Sequence, residues 1–151
     1  MRALGVDVGS VSGGYALLVG ARLIEVDDLP VVNRQVDAAE WRRVIERLKP
    51  DIAVVEVVHS MPKQGVASTF KFGMAAGLIR GVLLGAGVPI FDVAPTVWKK
   101  HFRLVGSDGE KSRALAIQRF PMSPALARKK DHNRAEALLI ALWKLETDDP
   151  V

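Results

Sequence analysis

The sequence contains no cysteine. That excludes a disulfide framework and a thiolate zinc site, and it fits a reducing cytosol. Long apolar runs are missing too. A membrane span needs about 20 mostly apolar residues, and the most apolar late stretch, Val66 to Phe91, is broken by Lys71 and Arg80. No membrane association is expected. The first residues hold a single Arg and then alternate around Asp7, which is not the pattern of a secretory signal. There is no repeat and no low-complexity tract. Acids are scarce in one region. Lys99 to Arg134 holds ten basic residues against Asp108, Glu110 and Asp131, a local charge of +7 in a chain whose total is +4. That asymmetry points to a polyanionic partner, nucleic acid, over a merely solvated face. The 151 residues are 49% hydrophobic and 25% charged, which predicts one domain with a real core.

The pattern along the chain predicts three short strands, 2–8, 14–19 and 22–28, arranged as an antiparallel meander. An amphipathic helix follows over 36–50, with Ala38, Trp41, Val44, Ile45 and Leu48 on one face and Pro50 as its stop. Residues 51–59 read as an interior strand, apolar nearly throughout. A helix is expected over 66–86, a strand over 87–94, a short basic helix over 95–102, a turn and helix over 106–120, and a last helix over 132–145. The order implies an α/β fold with a mixed five-stranded sheet, antiparallel first and then parallel, flanked by helices. Gly73, Gly77, Gly81 and Gly85 recur every four residues on the long helix. Each costs a helix about 1 kcal/mol against Ala, so the stripe implies close backbone approach, either to its own sheet or to a second helix.

Two acids interrupt otherwise buried strands, Asp7 in the first and Glu56 in the fourth. An uncompensated buried carboxylate costs several kcal/mol, roughly. Ligand sites of α/β sheets lie beyond the carboxyl ends of strands, and both acids fall toward those ends. Asp131 and Glu136 bring two more carboxylates from the last helix. Four carboxylates from three elements could hold two Mg²⁺ ions about 4 Å apart, as in phosphodiester hydrolysis. Each acid also has a plainer reading: a backbone-bonded turn for Asp7, a buried ion pair for Glu56, a helix cap for Asp131.

The stretches "GVDVGSVSGGYALL", "VVEVVHSMPKQGVASTFKFGMAAGLIRGVLLGAGVPIFDVAPTVWKK", "GSDGEKSRALAIQRF" and "DHNRAEALLIAL", in this order, resemble the RuvC-type Holliday junction resolvases, in particular their compact phage and organellar branch. The resemblance covers residues 3–145. It implies an RNase H-like fold forming a single nuclease domain over 1–151, a homodimer, and Mg²⁺- or Mn²⁺-dependent nicking of opposed strands in four-way DNA. Such an enzyme would work in the cytoplasm of a bacterium or phage-infected cell, or in an organelle.

By position, the resemblance makes Asp7, Glu56 and Glu136 metal ligands and catalytic acids, with the fourth ligand open between Asp131 and His132. It places Lys111 at the DNA-contacting rim, and either Lys99 or Lys100 at another such position. With Lys63, Arg113, Lys129, Lys130 and Arg134 these lysines form the expected nucleic-acid surface. Val8 stands where many members have Pro. His59 and Met61 occupy the region where some carry an aromatic wedge.

Competing readings are an RNase H-like nuclease acting on another structured or hybrid nucleic acid, and a non-catalytic junction-binding protein. The "DVGSVSGG" turn also resembles the phosphate loop of actin-like kinases, but those need two such domains.

Overall fold

The structure, a computed structural model, describes residues 1–9, 12–57 and 63–148. His59 and Met61, at the expected wedge position, lie outside the described residues, as does part of the "DVGSVSGG" turn. Strands β1 (Arg2–Asp7), β2 (Gly14–Val19) and β3 (Arg22–Asp28) form the expected meander. Leu4 faces Leu17 and Asp7 faces Gly14 across the first antiparallel pair. The pairing of β2 with β3 shifts register between Leu17 and Leu18.

A small hairpin, β4 (Val31–Val32) and β5 (Gln35–Val36), comes next. It was not legible in the sequence. Its turn residues, Asn33 and Arg34, both have positive φ, but the Asn-Gly or Asp-Gly pair that usually announces such a turn is absent. Helix α1 (Ala38–Leu48) begins where the Asp37 side chain accepts from the Glu40 amide, and it ends at left-handed Lys49, just before Pro50.

Strand β6 (Ile52–Glu56) lies parallel to β1, and β7 (Ile90–Val93) lies parallel to β6. The sheet order is β3-β2-β1-β6-β7. Helix α2 (Val66–Gly85) forms the crossover, and α3 (Pro95–His101), α4 (Gly109–Arg119) and α5 (His132–Thr147) follow. Short 3₁₀ turns at Pro124–Leu126 and Lys129–Asp131 lie between α4 and α5.

The strands alternate between two cores. Leu4, Val6, Leu17, Ala53 and Val55 pack with Trp41, Ile45, Ile79 and Leu83 of α1 and α2. Ala16, Leu18 and Val54 pack on the other face with Trp98, Ala137, Leu138 and Ala141. Burial on both faces is why β6 reads as an uninterrupted apolar run.

Two glycines set how close α5 comes to the sheet. A Cβ on Gly5 would lie 2.0 Å from the Ala137 carbonyl oxygen, and one on Gly14 would lie 2.6 Å from that of Asn133. Backbone therefore rests on backbone, and the first turns of α5 sit over the ends of β1 and β2.

The glycine stripe of α2 does not serve its own sheet. Ala75, Ile79 and Leu83 face the core, while a Cβ at Gly73, Gly77, Gly81 or Gly85 would meet nothing within 4 Å. Val66, Phe70, Met74 and Leu84 are exposed along that outward side. By length and composition alone α2 is apolar enough to cross a membrane. Its buried face is nonetheless part of the protein core, and its Arg80 pairs with Asp92 of β7.

Candidate active site

Val6 pairs with Val55 in the parallel ladder, so Asp7 and Glu56 are the next residues of two adjacent central strands. Because side chains alternate along a strand, both emerge on the face opposite Val6 and Val55, the face that α5 covers. Glu136 joins them from the second turn of α5, half-buried between buried Ala135 and Ala137. Three elements distant in sequence thus bring three carboxylates to the carboxyl ends of β1 and β6.

The electrostatics record this gathering. Asp7 is 7% exposed. Burial first, then the charges of Glu56 and Glu136, hold its pKa well above the ordinary aspartate range, with Lys99 acting in the opposite direction. Burial also raises Glu56. The Trp98 indole N–H and Lys99 work against that rise, and Glu136 adds to it. Burial and mutual repulsion both disfavour the ionised forms, and a hard cation accepting oxygen ligands would relieve both. The donor chemistry therefore fits a divalent ion. Among the described residues no three acidic or imidazole side chains stand close enough to cage an ion as placed. The three acids share one field rather than one contact.

Asp131 and His132 go elsewhere. Asp131 is 1% exposed. Its carboxylate accepts from the Arg128 backbone amide at 2.8 Å and from the Arg128 guanidinium, with Arg134 3.7 Å away. Burial alone would raise its pKa; the Arg128 bonds and the Arg134 charge outweigh burial and lower it. It is not among the charges that act on Asp7 or Glu56. Nor does its side chain cap α5; the 3₁₀ turn that ends at Asp131 uses it instead. Asp131 is thus held by Arg128, with Arg134 nearby, and its described contacts do not include Asp7, Glu56 or Glu136. His132 packs against Gly109, where an added Cβ would lie 3.0 Å from its side chain.

The basic residues divide in the same way. Lys63, Lys100, Lys111, Lys129 and Lys130 are exposed, and none forms an ion pair among the described residues. Lys99 is half-buried and its charge reaches both Asp7 and Glu56, which separates it from Lys100. Arg113 and Arg134, expected on the nucleic-acid surface, are committed internally. Arg113 binds Glu110 and the carbonyls of Leu126 and Ala127. Arg134 binds Asp28, Asp27 and the Ala125 carbonyl.

Sequence reasoning missed two residues that touch the acids. The Trp98 Nε1 donates to Glu56 Oε2 at 2.7 Å, and the Ser112 Oγ donates to Glu136 Oε1 at 3.3 Å. Trp98 reads as one more apolar residue beside two lysines, and nothing in the pattern marks Ser112 as buried.

No family model matches the chain. The crossover junction endodeoxyribonuclease RuvC of Chloroflexus aggregans is 30% identical over 153 aligned positions, covering 94% of this chain and 91% of that protein. The chain belongs to the RuvC family. A chloroplast Holliday junction resolvase of Chlamydomonas reinhardtii is 38% identical over 93 residues, 60% of this chain but only 10% of that longer protein. In three dimensions the chain matches Thermus thermophilus RuvC, solved with a Holliday junction substrate, with a TM-score of 0.74 at 22% identity. That match covers 97% of this chain and 94% of the other. The fowlpox virus resolvase, solved with junction DNA, matches with a TM-score of 0.60 at 17% identity, over 97% and 98% of the two chains. The mixed sheet with its flanking helices is therefore the RNase H-like fold of RuvC, as the sequence resemblance implied.

Proposed function

We propose that this chain is a divalent-metal-dependent endonuclease that nicks opposed strands of four-way DNA junctions, with Asp7, Glu56 and Glu136 as its catalytic and metal-holding acids. The observation that carries the reading is the convergence of these three acids, one from each of β1, β6 and α5, with the charge of Lys99 acting on two of them. The residues fit Mg²⁺ or Mn²⁺, two per site being the family expectation. When bound, such ions polarise a phosphate oxygen and lower the pKa of a coordinated water.

The chain's own residues supply the rest. The acids hold the cations at the ends of the central strands, where β1 and β6 are fixed on both faces by core. Lys99 places a positive charge at the same spot, where it favours an approaching phosphate. Lys63, Lys100, Lys111, Lys129 and Lys130 hold backbone phosphates and so position the junction without reading its sequence. The described residues act as one nuclease domain. The outward stripe of α2 is the contact with a second copy, because small residues there let two helices approach and the apolar side chains beside them lack cover. A two-fold dimer matches the two-fold symmetry of a four-way junction. The reading places the protein with branched DNA in a bacterial or phage-infected cytoplasm, or in an organelle.

The test is cleavage of a labelled four-way junction in Mg²⁺ or Mn²⁺, beside linear duplex and RNA–DNA hybrid, with native protein and Glu56→Gln. Paired symmetric nicks in the junction, made only by native protein, are expected. Cleavage of the hybrid alone would transfer the reading to an RNase H-like activity. Junction binding without any metal-dependent cleavage would leave a binding protein.

A further inference from the structure

Glu56 and Glu136 share a feature that their place in the site does not require. Each accepts a hydrogen bond from a buried residue of a different helix. Trp98 of α3 is fully buried, and an indole offers a single N–H and no acceptor. It therefore fixes one carboxylate oxygen of Glu56, and among the described residues the other oxygen accepts no hydrogen bond. Ser112 of α4 is 1% exposed and bonds one oxygen of Glu136. In both helices the neighbouring residue is a lysine. Lys99 follows Trp98, with its Nζ 5.4 Å from the Trp98 ring centroid, and exposed Lys111 precedes Ser112. Helices α3 and α4 thus each turn one residue inward to an acid and carry a lysine beside it, Lys99 with its charge on Asp7 and Glu56 and Lys111 exposed.

We propose that Trp98 and Ser112 are positioning residues, which fix the carboxylates of Glu56 and Glu136 for a divalent cation and tie them to the two helices whose lysines meet DNA. Neither touches substrate or metal. Trp98 holds Glu56 in one rotamer by its bond to Oε2, which limits the carboxylate's freedom to swing within the cavity it lines with Val8, Val55, Arg80 and Asp92. Ser112 likewise restrains Glu136, with the longer and weaker bond. Groups that orient metal ligands in this way change metal affinity or activity by about 10- to 100-fold when removed.

The proposal rests on the acids being a metal site, and the test separates the two. Thermal unfolding is followed against Mg²⁺ concentration for the native protein, Trp98→Phe, Ser112→Ala, Glu56→Gln and the Trp98→Phe/Glu56→Gln double variant. Junction affinity is measured in parallel without divalent metal. Trp98→Phe keeps an aromatic ring but removes the N–H. Ser112→Ala is a smaller change, which keeps the test open if Trp98→Phe does not fold.

Trp98→Phe is expected to raise the Mg²⁺ midpoint by about tenfold or more and Ser112→Ala by several-fold, with junction affinity unchanged. Adding Trp98→Phe to Glu56→Gln is expected to move the midpoint little further, since its effect runs through Glu56. Midpoints within about twofold of native for both single variants would overturn the proposal. So would a Trp98→Phe shift of equal size in the Glu56→Gln background, because that is the signature of a merely structural tryptophan. A native protein that shows no Mg²⁺-dependent stabilisation would instead overturn the metal site itself, and this proposal with it.

Discussion

At neutral pH a carboxylate as buried as Asp7 works against folding. Its pKa in the folded chain lies above the unfolded value, so its contribution to stability is fully present at low pH and is lost as pH rises through the folded value. Asp7→Asn removes the charge and keeps the shape. Without metal it is expected to stabilise the protein at neutral pH, and to flatten the fall in melting temperature above the ordinary aspartate range. It should also abolish cleavage. Asp131 has the opposite sign. Its pKa is lowered, so its stability is present at neutral pH and lost in acid. Asp131→Asn is expected to destabilise the fold by about 1–3 kcal/mol and to leave metal-dependent cleavage of the folded protein in place. Denaturation curves and junction cleavage, measured on the same preparation, check both variants. Loss of cleavage with no loss of stability would return Asp131 to the acid group.

Elements were legible in the sequence where one pattern dominated, and illegible where contact between distant segments decided. The strands and long helices follow from apolar periodicity, and the acids Asp7 and Glu56 stand out because they interrupt it. Gly5 and Gly14 give no such signal, since only the path of α5 reveals why a side chain there would collide. The same holds for Asp131: its spacing from Glu136 is visible in the sequence, but the turn of the Arg128 guanidinium toward it is not. The α2 stripe shows both sides. Its spacing was evident, and the structure removed its own sheet as the partner. Gly77→Leu tests what remains. Nothing lies near a Cβ there, and Leu is the better helix former by roughly 0.5–1 kcal/mol, so the single chain should be at least as stable as native. A close helix pair would be wedged apart. Light scattering is expected to show a dimer for the native protein and a monomer for Gly77→Leu, with junction cleavage reduced to unpaired nicks.

The molecule as a whole carries its charge in a way that composition alone misstates. The +7 between Lys99 and Arg134 already nets out Arg113 against Glu110 and Arg128 against Asp131, but it still includes two arginines held by acids outside the segment: Arg119 by Glu146 and Arg134 by Asp27 and Asp28. Among the described residues of this segment, the exposed lysines and Arg103 carry charge that no ion pair takes up, and under the proposed function this is the charge expected to meet DNA. Each phosphate neutralised on binding releases condensed counterions, and the slope of log K against log salt is about −0.9 per contact. Lys129→Ala with Lys130→Ala is therefore expected to make that slope shallower by about 2, with little change in melting temperature. Arg113→Ala should do the reverse. It removes the donor to the Leu126 and Ala127 carbonyls, so the melting temperature falls while the slope of the folded protein holds. Junction binding titrated across salt concentrations, beside thermal unfolding of each variant, distinguishes the two kinds of basic residue. If Arg113→Ala changed the slope as much as a lysine does, its internal bonds would have to open on DNA, and the division between structural arginines and DNA-facing lysines would fail.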